Sequence, residues 1–309
     1  MDSKDGFLIQ NTTKGKKIFK ILKNNWFVLG IFVTIIIVGG IGLLIWEVSS
    51  DSLFAPEEDV SGEIVSTNQS TGVLEESCNV IGIDLHGDLY TYNMSSDFDS
   101  EGNLVNDVVA SEWVTMAIED AEENENIKAI ILEVDSYGGQ PIAGEEIANA
   151  LKRAKKPTVG LIRSAGLSAA YWAVSGADTI FASKNSDIGG IGATMSYLDY
   201  SEKNKKEGIT YNSLSTGKFK DAGDPDKSLT AEERILFERD LNIFLNNFIL
   251  DIANNRKMSI AKVKSLADGS SMLGEQALNN GLIDKLGDIY SVKEFLKEKI
   301  GEETNICWE

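Results

Sequence analysis

Ile127-Lys-Ala-Ile-Ile-Leu-Glu-Val134 is an almost unbroken apolar run rich in β-branched residues. Such a run predicts a strand covered on both faces, as in a parallel sheet flanked by helices. Three similar runs lie around it: Val80 to Leu85 (VIGIDL), Pro157 to Ile162 (PTVGLI) and Asp178 to Ala182 (DTIFA). Between them come amphipathic stretches. Asp107 to Glu123 places Val109, Trp113, Met116 and Ala117 at helical spacing, and Ile142 to Lys155 and Leu167 to Ser175 also read as helices. Further on, Ile209 to Ser215 (ITYNSLS) alternates like a strand, and Thr230 to Asn255 is a long helix opened by the capping-box pattern T-A-E-E. Its apolar residues exceed one face; core packing takes most of them and a subunit interface the remainder. The alternation predicts an α/β domain with a largely parallel sheet. No internal repeat is visible.

Composition narrows the function. The 309 residues are 42% hydrophobic and 25% charged, which excludes a disordered or low-complexity chain. The net charge of -19 argues against nucleic acid as a partner, because phosphate binding needs a basic face. Two cysteines with no CxxC pair exclude a zinc finger, and a single histidine, His86, excludes most His-based metal sites.

The charge is unevenly placed. Met1 to Asn25 carries Lys4, Lys14, Lys16, Lys17, Lys20 and Lys23 against Asp2 and Asp5. Trp26 to Trp46 (WFVLGIFVTIIIVGGIGLLIW) carries no charge at all. At helical rise it spans about 31 Å, the thickness of a bilayer core. Tryptophans bracket it, and Glu47, Asp51, Glu57, Glu58 and Asp59 follow. A cleaved signal peptide has a shorter apolar region ending in an A-x-A-like site, which EVSSDSLFAPEED lacks, and a core helix shows some polar positions. The expectation is a single transmembrane helix over 26–46, behind a basic cytoplasmic segment 1–25 and ahead of an acidic flexible stalk 47–77. The positive-inside rule puts the N-terminus in the cytoplasm and the folded body, 78–309, outside the cell membrane.

Three local features of the body bear on chemistry. Ser136-Tyr137-Gly138-Gly139 follows the central strand, and its two glycines let a backbone turn sharply and present N–H groups to an oxyanion or phosphate; a plain tight turn is the alternative. Ser164-Ala165-Gly166-Leu167-Ser168-Ala169-Ala170-Tyr171-Trp172 enters a helix rich in small residues. A serine there is either an N-cap or a nucleophile in the positive field of a helix start. Gly217-Lys218-Phe219-Lys220-Asp221 offers lysines, one of which becomes a base if burial favours its neutral amine; most lysines are merely solvated. No G-x-S-x-G motif accompanies His86, which reads as a surface residue at a strand end.

Together these segments resemble the signal peptide peptidase A (SppA) family of membrane serine proteases, whose fold is similar to ClpP and the crotonases. The family's S-P-G-G turn is matched by Ser136-Tyr137-Gly138-Gly139, and its A-S-G-G-Y-[YW] motif by Leu167-Ser168-Ala169-Ala170-Tyr171-Trp172. Its A-D-x-I-x-A pattern is matched by Ala177 to Ala182, G-S-I-G-V by Gly189 to Ala193, and S-G-x-x-K-D by Thr216 to Asp221. Its C-terminal D-G-R…G-x-x-A-x-x-x-G-L-[IV]-D-x-L-G pattern resembles Asp268-Gly269-Ser270 and Gly274 through Gly287. The match runs in order from about Val80 to about Leu296.

The resemblance implies a ClpP/crotonase-like domain, Ser168 as nucleophile, Lys220 as general base, and the N–H groups of Gly139 and Ala169 as oxyanion donors. It implies no metal and no cofactor, peptide substrates such as remnant signal peptides and other hydrophobic segments, and a homo-oligomer in the lipid bilayer. Three departures from the pattern are Tyr137 for proline, Ala169-Ala170 for the glycine pair, and Gly190 where the family often has a lysine-orienting serine. Ser186, Asp187 and Thr194 are candidate substitutes for that serine. The departures keep a second reading open: a catalytically silent, membrane-tethered pseudopeptidase that binds partners as a scaffold. A third, a crotonase-type acyl-CoA enzyme, conflicts with the outward topology. Cys78 and Cys307 lie near the two ends of the body, where either a disulfide or two free thiols fits.

Overall fold

The run Ile127–Val134 forms the core of a strand at the centre of the sheet. In the computed structural model, which describes residues 78–94, 97 and 106–309, this strand is β3 (Ala129–Gly139). Its side chains alternate between two cores. Ile130, Leu132 and Val134 enter one apolar cluster, and Ala129 and Ile131 enter the other. That burial on both faces is why the run lacks a polar period.

β1 (Val80–Tyr90) lies parallel to β3, with Val80 opposite Ala129. β2 (Val108–Ala110) follows, then α1 (Ser111–Glu123), α2 (Pro141–Arg153), β4 (Thr158–Leu167), α3 (Ala169–Val174), β5 (Thr179–Ala182) and β6 (Asp187–Gly189). A long arm holding only α4 (Ser201–Lys206) precedes α5 (Ala231–Asn255). α6 (Ile260–Leu266), β7 (Ser271–Leu273), α7 (Gly274–Asn280), β8 (Lys285–Leu286), α8 (Ile289–Ile300) and β9 (Ile306–Trp308) complete the chain. The sheet order is β2-β1-β3-β4-β5-β8, with β6 on β4, β7 on β6 and β9 on β1. Among the described residues every pairing is parallel except β6 with β7. Helices α1, α2 and α3 and the end of α5 cover one face, and α8, through Val292 and Leu296, covers the other.

Several boundaries differ from expectation. The stretch expected to be helical from Asp107 begins with β2, because β-branched Val108 and Val109 continue the sheet beside the end of β1. Ile209 to Ser215 is not a strand. Its alternation is right but no sheet edge receives it, and Leu214 is fully exposed at 102%. The α5 capping box forms as read: the Thr230 hydroxyl accepts from Glu233 N–H at 3.2 Å, and Glu233 Oε2 accepts from Thr230 N–H at 2.9 Å. The core takes less of α5 than expected: its buried apolar residues are Phe248, Ile249, Ile252 and Ala253, while Ile235, Ile243 and Phe244 stay exposed. Cys78 and Cys307 are joined in a disulfide with a Cα–Cα distance of 5.7 Å.

The basic segment 1–25, the apolar belt 26–46 and the stalk 47–77 lie outside the described residues. Among the described residues no helix is long and apolar enough to cross a membrane.

Candidate active site

β4 does not stop at Ile162 but runs on to Leu167, so that Ser168 stands at the junction with α3. The junction is strained. Ser168 has φ 54° and ψ -125°, a region L-residues avoid at a cost of about 1–2 kcal/mol. Among the described residues Lys257 is the other non-glycine with positive φ. Hydrogen bonds hold Ser168 there: its N–H donates to Gly189 O at 2.8 Å, and its carbonyl accepts from Trp172 N–H at 3.0 Å. Its side chain makes no capping bond. The common role of a serine at a helix start is therefore not the one it plays; Ser168 instead lines a cavity.

The strand end Gly138-Gly139 packs directly on this turn. A Cβ on Gly138 would lie 2.8 Å from Ser168 Cβ and 3.0 Å from Ala169 N, so a side chain there has no room. Its φ of 110° is also one that glycine alone adopts without strain. Ser168, Ala169 and Gly139 line the same cavity. The Ala169 N–H opens α3 and is one of the four that a helix leaves without an intrahelical acceptor. Ala169 and Ala170 are both helical, so alanine suits the positions where the family pattern has glycines.

Gly190 has φ 58°, and a Cβ there would sit 3.2 Å from Ser168 N. A serine at this position would be both crowded and strained. Of the candidate substitutes, Ser186 is buried and spent on the turn after β5, donating to Arg163 O and accepting from Ser183 N–H at 3.1 Å. Asp187 accepts from the Ser271 hydroxyl at 3.1 Å. Thr194 lines the cavity.

The cavity measures about 660 Å³ and is mostly apolar. Its apolar lining includes Leu167 and Trp172 around Ser168 and Leu241, Phe244, Leu245 and Phe248 from α5. The Trp172 ring stacks on Phe248 at 4.6 Å, and its Nε1–H donates to Asp251 at 3.0 Å. The α5 residues of this wall were read in the sequence only as surplus apolar surface; what they face depends on where α5 crosses α3.

Lys220 is not part of this lining. It is exposed, on the arm between α4 and α5, with its N–H bonded to Gly217 O at 3.1 Å. The arm is tied down nearby: Lys227 pairs with Glu233 and lies 3.9 Å from Asp221. The bond from Lys227 holds the Glu233 carboxyl below its ordinary value of 4.5.

His86 does not line this cavity; it lines a second one with Asp88, Asp107 and Asp135, and Tyr137 borders both. Asp84, His86 and Glu133 bring their ligand atoms within 4.8 Å of one another, a spacing that suits a metal ion. Arg163 already places a guanidinium 2.7 Å from Glu133, so the group carries its own cation. Burial is the largest influence on Asp84 and pushes its carboxyl upward.

The family model for peptidase family S49 matches residues 150–302. A putative protease of Methanocaldococcus jannaschii is 34% identical over 172 residues, covering 55% of this chain and 55% of that protein. A putative signal peptide peptidase SppA of Enterococcus faecium is 32% identical over 181 residues, covering 58% of this chain and 53% of that protein. The chain thus spans about half the length of these curated relatives. Among solved structures, a membrane-bound stomatin-specific protease, as a lysine-to-alanine mutant in complex with a substrate peptide, aligns with a TM-score of 0.48 and 16% identity, covering 76% of this chain and 92% of that one.

Proposed function

The chain belongs to the SppA family, within peptidase family S49, and from that membership we propose that it is a membrane-anchored serine endopeptidase with a Ser168/Lys220 dyad. The observation that carries the reading is Ser168 itself: a strained, uncapped serine in the lining of an apolar cavity beside the Gly138-Gly139 strand end. Backbone strain at a strand-to-helix serine is the mark of a nucleophile presented to substrate.

The neutral amine of Lys220 takes the Ser168 proton as Oγ attacks the peptide carbonyl. The N–H groups of Gly139 and Ala169 hold the oxyanion. The tetrahedral adduct collapses, the C–N bond breaks, and the lysine ammonium returns the proton to the leaving amine. Water then attacks the acyl-enzyme by the same route, releasing the acid and Ser168. No cofactor takes part. The apolar walls suit hydrophobic segments such as remnant signal peptides.

Lys220 is exposed in the single chain, so its service as base calls for burial against Ser168. The same arm exposes Leu198, Ile209, Leu214 and Phe219. We assign that surface to assembly of a homo-oligomer, and the placement of Lys220 to that assembly. The belt Trp26 to Trp46 is read as the anchor in the cell membrane, with the N-terminus cytoplasmic and the body outside; the Cys78–Cys307 disulfide fits an oxidising compartment.

The exposure of Lys220 also favours a second reading, the silent scaffold. One assay separates the two: hydrolysis of casein or a hydrophobic-rich peptide by the full chain, beside Ser168→Ala and Lys220→Ala. Activity in the unmodified chain and none in either variant supports the peptidase. No hydrolysis by any of the three, with no labelling of Ser168 by a fluorophosphonate, leaves the scaffold.

A further inference from the structure

Ser136 stands where β3 slips register against both neighbours. Against β1 the pairing jumps between His86 and Asp88, and against β4 between Val134 and Ser136. At this double irregularity the side chain is 1% exposed and both sides of its hydroxyl are engaged. Oγ donates to Gly87 O at 2.6 Å, and it accepts from Gly138 N–H at 3.0 Å. Gly87 has φ 77°, at the slip in β1 where its carbonyl meets Ser136. The hydroxyl therefore ties three things together: the slip in β1, the strand end Gly138-Gly139, and through Gly138 the turn that carries Ser168.

We propose that Ser136 is a positioning residue for the hydrolysis assigned above: its hydroxyl fixes the Gly138–Gly139 peptide so that the Gly139 N–H faces the oxyanion. The inference rests on the peptidase reading for its consequence, not for its geometry. A backbone donor stabilises an oxyanion only when held at the right place before reaction. Gly138 and Gly139 are the two residues least able to hold themselves, since glycine has the widest choice of φ and ψ. The bond from Gly138 N–H to the serine two residues earlier is a local turn that removes that choice. The anchor at Gly87 O stops the serine from rotating.

The test compares the full chain with Ser136→Ala and with Ser136→Cys, which keeps the side chain's shape with a larger sulfur that weakens both bonds, and serves if the alanine variant does not fold. Three readouts are taken: kcat and KM on a hydrophobic peptide, affinity for a peptide boronic acid that mimics the tetrahedral adduct, and hydrogen exchange of the peptide spanning 136–140. The expected result is a kcat lower by about 10–100-fold, KM within about twofold, boronate affinity falling in parallel with kcat/KM, and faster exchange at 138–139. A variant with a lowered melting temperature but unchanged kcat per folded molecule overturns the proposal, because the hydroxyl is then only structural. So does a fall in kcat without faster exchange. If the unmodified chain hydrolyses nothing, the peptidase reading fails, and exchange still decides whether Ser136 holds the turn.

Discussion

Ser168 and Lys220 are supplied by opposite kinds of structure. Ser168 sits between β4 and α3, with Gly138 against its Cβ, Gly189 O on its N–H and six buried residues following it. Lys220 rides on an arm whose regular structure is the single short helix α4, and it is exposed. On the proposed reading, the two halves of the dyad are unequally preorganised. The nucleophile would draw on a strained backbone, which only a packed surround can hold. The base would have only to arrive with its amine desolvated, which docking of the arm on assembly would supply.

The largest expected effect is on the packed side. Ser168→Ala lowers kcat by at least about 10³-fold in a peptide assay, since no other group supplies the nucleophile. Ser168→Gly is equally inactive, yet it relieves the positive φ and raises unfolding stability by about 1 kcal/mol in urea titration. A destabilised glycine variant would mean that the strain reading of the turn is wrong.

Lys220→Ala is the matching test of the arm. It lowers kcat by about 10²–10⁴-fold, while stability moves by less than about 0.5 kcal/mol because the side chain is exposed. Loss of both activity and stability would erase the distinction between the two regions.

Two stability effects follow. Reduction of Cys78–Cys307, which closes a separation of 229 residues, lowers stability by about 3–5 kcal/mol, read as a drop in melting temperature on adding reductant. Gly138→Ala lowers it by about 3 kcal/mol, because a methyl meets Ser168 Cβ at 2.8 Å and φ is 110°.

The smallest effect sharpens the account of the arm. Glu233 has its folded pKa depressed by Lys227, so its contribution is present above its ordinary pKa of 4.5 and is lost as pH falls through the lower folded value. Protection against hydrogen exchange across the arm and the start of α5, taken relative to the intrinsic rate at each pH, therefore falls below about pH 4.5. In Glu233→Gln that loss of protection in acid disappears. An unchanged pH profile in the variant would show that the Lys227–Glu233 pair does not tie the arm down.

The central strands and α5 were legible because their signals are local. Ile130, Ile131 and Leu132 announce burial on both faces, and Thr230 with Glu233 announces a helix start. Ile209 to Ser215 misled for the same reason: its alternation is a local pattern, and whether a strand forms depends on a neighbour with a free edge. β6 to β9 are two or three residues long, too short for any period to show. The candidate site was legible as motif residues, but not as an arrangement. Nothing in the order of Ser136, Gly138 and Ser168 says that one hydroxyl bonds back to Gly87 or that Gly138 touches the serine's Cβ.

The sequence by itself determined the α/β class, the central parallel strands, the capped helix, the acidic body, and the short segments that point to a peptidase. These follow from periodicity, charge and residue type within about ten neighbours. Only the tertiary structure decided that Ser168 takes a positive φ without capping α3, that Ala169 and Ala170 are harmless because they are helical, that Trp172 and Phe248 stack in the cavity lining, and that Lys220 is exposed and outside that lining. Each depends on residues far apart in the chain meeting at one place. Strain, exclusion of a side chain and the use of a hydroxyl are properties of that meeting, not of any segment that takes part in it.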